Sequence, residues 1–172
     1  MTIDYGRTVM MITPAHRAAI RRSWELVTPI ADTAADLFYQ RLFELRPQYR
    51  ALFKSDLAPQ KKKLLAMLAF IVKAVDWPEE AWQESVDAEQ DFFLVVLALG
   101  RRHGELYRIP DESYDAVGQA LLWALDYGLG EAFTVETKEA WSRVYALLSK
   151  TMKMGRCAIG EGSVIALQAS DG

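Results

Sequence analysis

At 172 residues the chain is one domain's worth of sequence, with no room for a second catalytic module of ordinary size. A net charge of −3 excludes the basic footprint of a general nucleic-acid binder, while 51% hydrophobic residues suffice for a substantial core. The single cysteine, Cys157, excludes an intrachain disulfide and any multi-cysteine zinc or iron–sulfur site.

Residues 1–12 read as an N-terminal extension without the charged-then-apolar layout of a secretory signal. Thr13-Pro14 opens a first helix, as N-cap and first-turn proline, with Ala18, Ile20, Trp24 and Val27 facing a core. His16 falls on what reads as the surface of this helix. Thr28-Pro29 repeats the start signal for a second helix carrying Ile30, Ala34, Leu37, Phe38, Leu42 and Phe43. Pro47 opens a short third segment ending near Leu52-Phe53, followed by a loop over 54–58. Pro59 opens a long helix with Leu64, Leu65, Met67, Leu68, Ile71, Val72 and Val75 inward. Trp77-Pro78 ends it.

Residues 78–91 are acidic, with Glu79, Glu80, Glu84, Asp87, Glu89 and Asp91, and are expected to form a solvated helix or a docking surface for a basic partner. Phe92 to Leu106 is a further helix; its apolar run, Phe92 to Leu99, is too short to span a bilayer. Ile109-Pro110-Asp111 is a break. Ser113 to Leu129 is a helix with Tyr114, Val117, Leu121, Leu122 and Leu125, stopped by Gly128-Leu129-Gly130. Thr134 caps a last helix carrying Trp141, Val144, Tyr145, Leu148 and Met152, with Glu136 in its first turn. The tail over 155–172 is rich in Gly, Ala and Ser and is expected to fray. No segment alternates apolar and polar residues as a half-buried strand does. The expectation is an all-α domain of seven to eight helices, located in the cytoplasm, with no membrane and no nucleic-acid partner.

Two histidines, His16 and His103, limit any imidazole chemistry. His103 follows Leu99-Gly100-Arg101-Arg102 and shares a helical face with residues 92, 95, 96 and 99. Taken alone it is a core histidine bonded to a backbone carbonyl, a cation at a helix C-terminus, or an iron ligand. An iron ligand also needs a flat apolar slot for a macrocycle and a polar group on the opposite face.

FYQRLFELRPQYRALF (38–53), QKKKLLAML (60–68), LGRRH (99–103) and VGQALLWALDYGLGEAFTVETKEAWSRVYALL (117–148) stand in order along the chain. Together they resemble bacterial single-domain globins and the heme domain of flavohemoglobins, over nearly all of residues 13–154. The resemblance implies the globin fold, a three-over-three helical sandwich around heme b, with His103 as the axial iron ligand. It implies Phe53 on the heme face, and Tyr39, Gln60 and apolar Leu64 on the ligand side. Residues 60 and 64 are one helical turn apart, which lets both face one pocket. It further implies Lys63 near a heme propionate, and Leu99, Ile109, Tyr114 and Val117 as cofactor contacts. The residue-level alternatives are ordinary ones: Phe53 as a core aromatic, Tyr39 with its hydroxyl in water, Gln60 and the three lysines solvated.

The Tyr39 hydroxyl and Gln60 amide are hydrogen-bond donors, so the resemblance implies high-affinity, reversible binding of oxygen, with carbon monoxide and nitric oxide as further ligands. In some relatives a glutamate bonds to the tyrosine matched by Tyr114. That position falls near Arg156 if the last helix runs without gaps, so strong electron push from the proximal side is not expected. The spacing from His103 to Tyr114 is also one residue longer than in the closest pattern. One alternative function is a nitric oxide dioxygenase. The chain has no Gly-rich dinucleotide-binding motif, so this would require a separate reductase. Another is a globin-fold signalling or sensor module. The oligomeric state is left open.

Overall fold

In a computed structural model of the chain, residues 12–53, 56–76 and 112–168 are described, with side chains through Lys153. Among them are five α-helices and no strand, in agreement with the all-α expectation. The acidic segment 78–91, the helix expected over 92–106 with Leu99 and His103, and Ile109 lie outside the described residues.

Helix α1, Pro14–Val27, starts where Thr13-Pro14 predicts. Thr13 is extended (φ −73°, ψ 163°), and its Oγ accepts from the His16 amide at 3.2 Å. The Thr13 amide in turn donates to His16 Nδ1 at 3.2 Å. This is a capping box in which an imidazole replaces the usual Glu or Gln. It buries His16, so the surface placement expected for this residue is corrected: the ring folds back onto the helix start.

Thr28-Pro29 does not start a helix of its own. Thr28 stays helical (φ −49°, ψ −48°), and its hydroxyl donates back to the Trp24 carbonyl at 2.8 Å. The chain therefore passes through a 3₁₀ turn, Thr28–Ile30, into α2, Ala31–Leu45. Helix α2 buries Ala34, Ala35, Phe38, Tyr39 and Leu42, a stripe at helical spacing. Pro47 then forces Arg46 out of the helical region (φ −142°, ψ 79°) and opens a second 3₁₀ turn, Pro47–Leu52.

Helix α3, Ala58–Ala74, begins one residue before Pro59, with the Ala58 amide donating to Asp56 Oδ1 at 2.9 Å. Helix α4, Glu112–Leu129, buries Tyr114, Leu121 and Leu125 as predicted. A third 3₁₀ turn, Gly130–Ala132, follows it, and Gly130 takes φ +53°, a conformation glycine adopts without steric cost. Thr134 Oγ accepts from the Thr137 amide at 3.2 Å, the expected cap of α5, Val135–Gln168. The helical backbone of α5 continues past Gly155, at which the sequence predicts fraying.

Helix α2 packs chiefly on α4, α1 on α5, and α3 against α2 and α1. The core runs between these pairs and includes Ile20, Val27, Ile71, Val75 and Trp141, each at most 1% exposed. The Trp141 indole donates to Ser23 Oγ at 2.9 Å, and Ser23 Oγ donates to the Ile20 carbonyl at 2.9 Å. The buried α1–α5 contact thus leaves neither side chain unsatisfied, which is what burial of polar groups demands.

Candidate functional site

Helix α2 and the turn after it bring an aromatic group together. The Tyr39 ring meets Phe53 edge-on at 5.6 Å between centroids, Phe38 at 5.0 Å and Phe43 at 6.0 Å. Phe43 and Phe53 meet at 5.6 Å. The Phe38, Phe53 and Phe43–Phe53 contacts are edge-to-face and Tyr39–Phe43 is tilted at 38°; all lie at attractive separations and hold Tyr39 in one place. The side chain is 7% exposed. Its hydroxyl makes no hydrogen bond among the described residues, and burial alone pushes its pKa up to about 12. A phenol hydroxyl without a protein partner, on a ring held by aromatic neighbours, is available to a group from outside the fold.

Leu64 of α3 borders a small apolar cavity with Phe38, Ala34, Leu68, Leu121 and Leu125. Phe53, Leu64 and Val117 are only partly buried although they pack on the core. Gln60, in the first turn of α3, is also partly buried. Lys61 forms an ion pair with Asp36 of α2, fixing the start of α3 beside the Tyr39 helix. Lys62 and Lys63 are exposed.

On α4, Tyr114 is buried and Lys153 lies over its ring at 5.6 Å. Its backbone carbonyl accepts a hydrogen bond from the Tyr145 hydroxyl of α5. Burial, followed by the neighbouring Tyr114 and Asp115, pushes the Tyr145 pKa well up. The Tyr145 ring lies against Gly118: a Cβ there would meet its Cε1 at 2.5 Å and Cδ1 at 2.8 Å. An isolated glycine within an apolar helix is the sequence signal for such a close approach. The partnership of Tyr145 with the Tyr114 carbonyl has no comparable signal.

Of the residues expected at the site, Tyr39 and Phe53 are in direct ring contact. Leu64 shares a cavity wall with Phe38, the neighbour of Tyr39. Tyr114 and Val117 lie on α4, the helix that packs on α2. His103, Leu99 and Ile109 lie outside the described residues. The described residues fit a heme: they offer an aromatic and aliphatic set with incompletely covered surface, and the Tyr39 hydroxyl, which has no protein partner among the described residues.

Comparison with known proteins points the same way. Residues 36–152 match the globin family model. The chain is 28% identical over 151 residues to neuroglobin of Danio rerio, covering 84% of this chain and 92% of that protein. It is 26% identical over 149 residues to neuroglobin of Chaenocephalus aceratus, covering 83% and 91%. With neuroglobin-2 of Oncorhynchus mykiss it shares 27% identity over 156 residues, covering 87% and 96%. These relatives are vertebrate proteins and do not bear on the bacterial subclass that the sequence resembles. No helix among the described residues is long and apolar enough to cross a membrane. The all-α fold and the match across more than half of the chain lead to one conclusion: this chain belongs to the globin family, a family of heme-binding proteins.

Proposed function

We propose that this globin holds heme b with His103 as axial ligand and reversibly binds oxygen and other diatomic gases beside Tyr39 and Gln60. The observation that carries this reading is Tyr39, a residue 7% exposed and ringed by aromatic side chains, whose hydroxyl has no hydrogen-bond partner among the described residues. Heme iron, when bound, supplies the coordination position for the gas. Tyr39 supplies a proton donor: with its pKa pushed up to about 12, the phenol stays protonated at neutral pH. A donor to a buried, partly charged acceptor contributes about 1.5–3 kcal/mol, so ligand release is slow.

Gln60 is the second donor. Leu64 and Phe53 keep water from the ligand side. Val117, Tyr114, Leu99 and Ile109 would hold the cofactor from the other side, and Lys63 would supply a cation for a propionate. The binding unit is residues 13–154, flanked by 1–12 and by 155–172, whose backbone is helical as far as Gln168, and the protein works in the cytoplasm. The bacterial single-domain subclass belongs to this reading on the strength of segments 38–53 and 99–103. A separate reductase is the partner that would return oxidised iron to the ferrous form.

The test is the absorption spectrum of the purified protein, oxidised, reduced and under carbon monoxide, beside His103→Ala. A Soret band that shifts with carbon monoxide, and is lost or altered in His103→Ala, is expected. Absence of heme uptake by the intact chain after reconstitution would refute the reading.

A further inference from the structure

Two buried hydroxyls that the proposed function does not use meet between the aromatic turn and α4. Tyr49 lies in the 3₁₀ turn Pro47–Leu52 and is 8% exposed; Ser113 lies in the first turn of α4 and is 3% exposed. Ser113 Oγ donates to the Tyr49 hydroxyl oxygen at 2.7 Å, across a separation of 64 residues. A serine near a helix start commonly serves its own helix end. Here its hydroxyl is committed to a distant tyrosine instead.

Both partners adjoin the proposed heme slot. The Tyr49 turn ends in Phe53, whose amide donates to the Arg50 carbonyl at 3.3 Å, so the turn and the Phe53 ring are one piece. That ring abuts Tyr39 and Phe43. The guanidinium of Arg50 lies 5.5 Å from the Phe43 centroid, a second tie of the turn to α2. On the other partner, Ser113 precedes Tyr114, whose carbonyl is held by Tyr145. Val117 and Gly118 follow one turn later on the same helix.

We propose that Tyr49 and Ser113 are positioning residues of the heme slot. Their hydrogen bond fixes the turn that carries Phe53 against the helix that carries Tyr114 and Val117. It thereby holds the Phe53 ring against Tyr39. Neither residue touches heme or gas, and the inference rests on the heme-binding reading above.

The experiment compares the wild-type holoprotein with Tyr49→Phe, Ser113→Ala, the double variant and Ser113→Thr. Heme loss to an apo-globin acceptor and the C–O stretch of the carbon monoxide complex are measured. Either single variant should lose heme about fivefold faster, the scale of one buried neutral hydrogen bond. The C–O band should shift or broaden, because it reports the polar surroundings of the bound gas. The double variant should be no faster than the single ones, as expected when two residues act through one contact. Ser113→Thr, which keeps a hydroxyl, should behave as wild type. Heme loss and C–O stretch unchanged in both single variants, with only the unfolding midpoint lowered, would overturn the proposal. So would single effects that simply add in the double variant. A wild type that takes up no heme would overturn the proposed function and this inference together, and its missing Soret band distinguishes that outcome from the others.

Discussion

The α1–α5 contact and the α2 aromatic group both bury polar side chains, and they treat them in opposite ways. At α1–α5 the Trp141 indole donates to Ser23, and Ser23 donates to the Ile20 carbonyl. At α2 the residue Tyr39 is 7% exposed, and its hydroxyl has no partner among the described residues. A satisfied buried network specifies packing. A donor on a fixed ring that has no protein partner is available to a ligand. The first region is therefore read as structure and the second as function.

The largest effect that sharpens this contrast belongs to the structural region. Trp141→Ala should destabilise the fold by about 3–5 kcal/mol, the usual range for a buried tryptophan, as read by urea denaturation; a loss under about 1 kcal/mol would remove Trp141 as the keystone of that contact. Gly118→Ala comes next. The added Cβ would overlap the Tyr145 ring at 2.5 Å, and the overpacking should cost about 1–3 kcal/mol. Its check is the same denaturation curve, with Tyr145→Phe beside it to separate ring displacement from loss of the hydroxyl.

Alkaline pH tests the tyrosine region directly. The folded pKa of Tyr39 is raised from 10.0 to about 12 by burial, so its contribution to stability is fully present below pH 10 and is lost as pH climbs towards 12. Tyr145 is shifted in the same direction. Denaturation midpoints followed over that window should fall less steeply in Tyr39→Phe than in wild type; parallel curves would mean that Tyr39 is not buried as described. The smallest effect belongs to the surface. Arg21 and Asp76 form an ion pair at 2.9 Å with both side chains substantially exposed, and Arg21→Ala should cost at most about 1 kcal/mol.

How much of this was legible in the sequence depends on how local each cause is. The caps at Thr13 and Thr134 were readable because a hydroxyl beside a helix start acts within one turn. The same dipeptide signal at Thr28-Pro29 misled, since capping needs an extended residue and Thr28 remains helical. His16 reads as a surface residue because amphipathic spacing does not reveal that an imidazole can stand in for glutamate in a capping box. Tyr39 and Phe53 were named through resemblance to relatives. Their ring contact and the lack of a partner for the Tyr39 hydroxyl depend on how α2 meets the turn after it. The Tyr49–Ser113 bond spans 64 residues, and no periodicity reports a contact of that separation.

The most direct test of the central claim is the oxygen dissociation rate of Tyr39→Phe against wild type, measured on the reconstituted ferrous proteins. Removing one buried donor worth about 1.5–3 kcal/mol should raise that rate more than about tenfold, with a much smaller change for carbon monoxide, which is less polar when bound. An oxygen release rate equal to wild type would contradict the account, because the hydroxyl read as serving a ligand would then serve none.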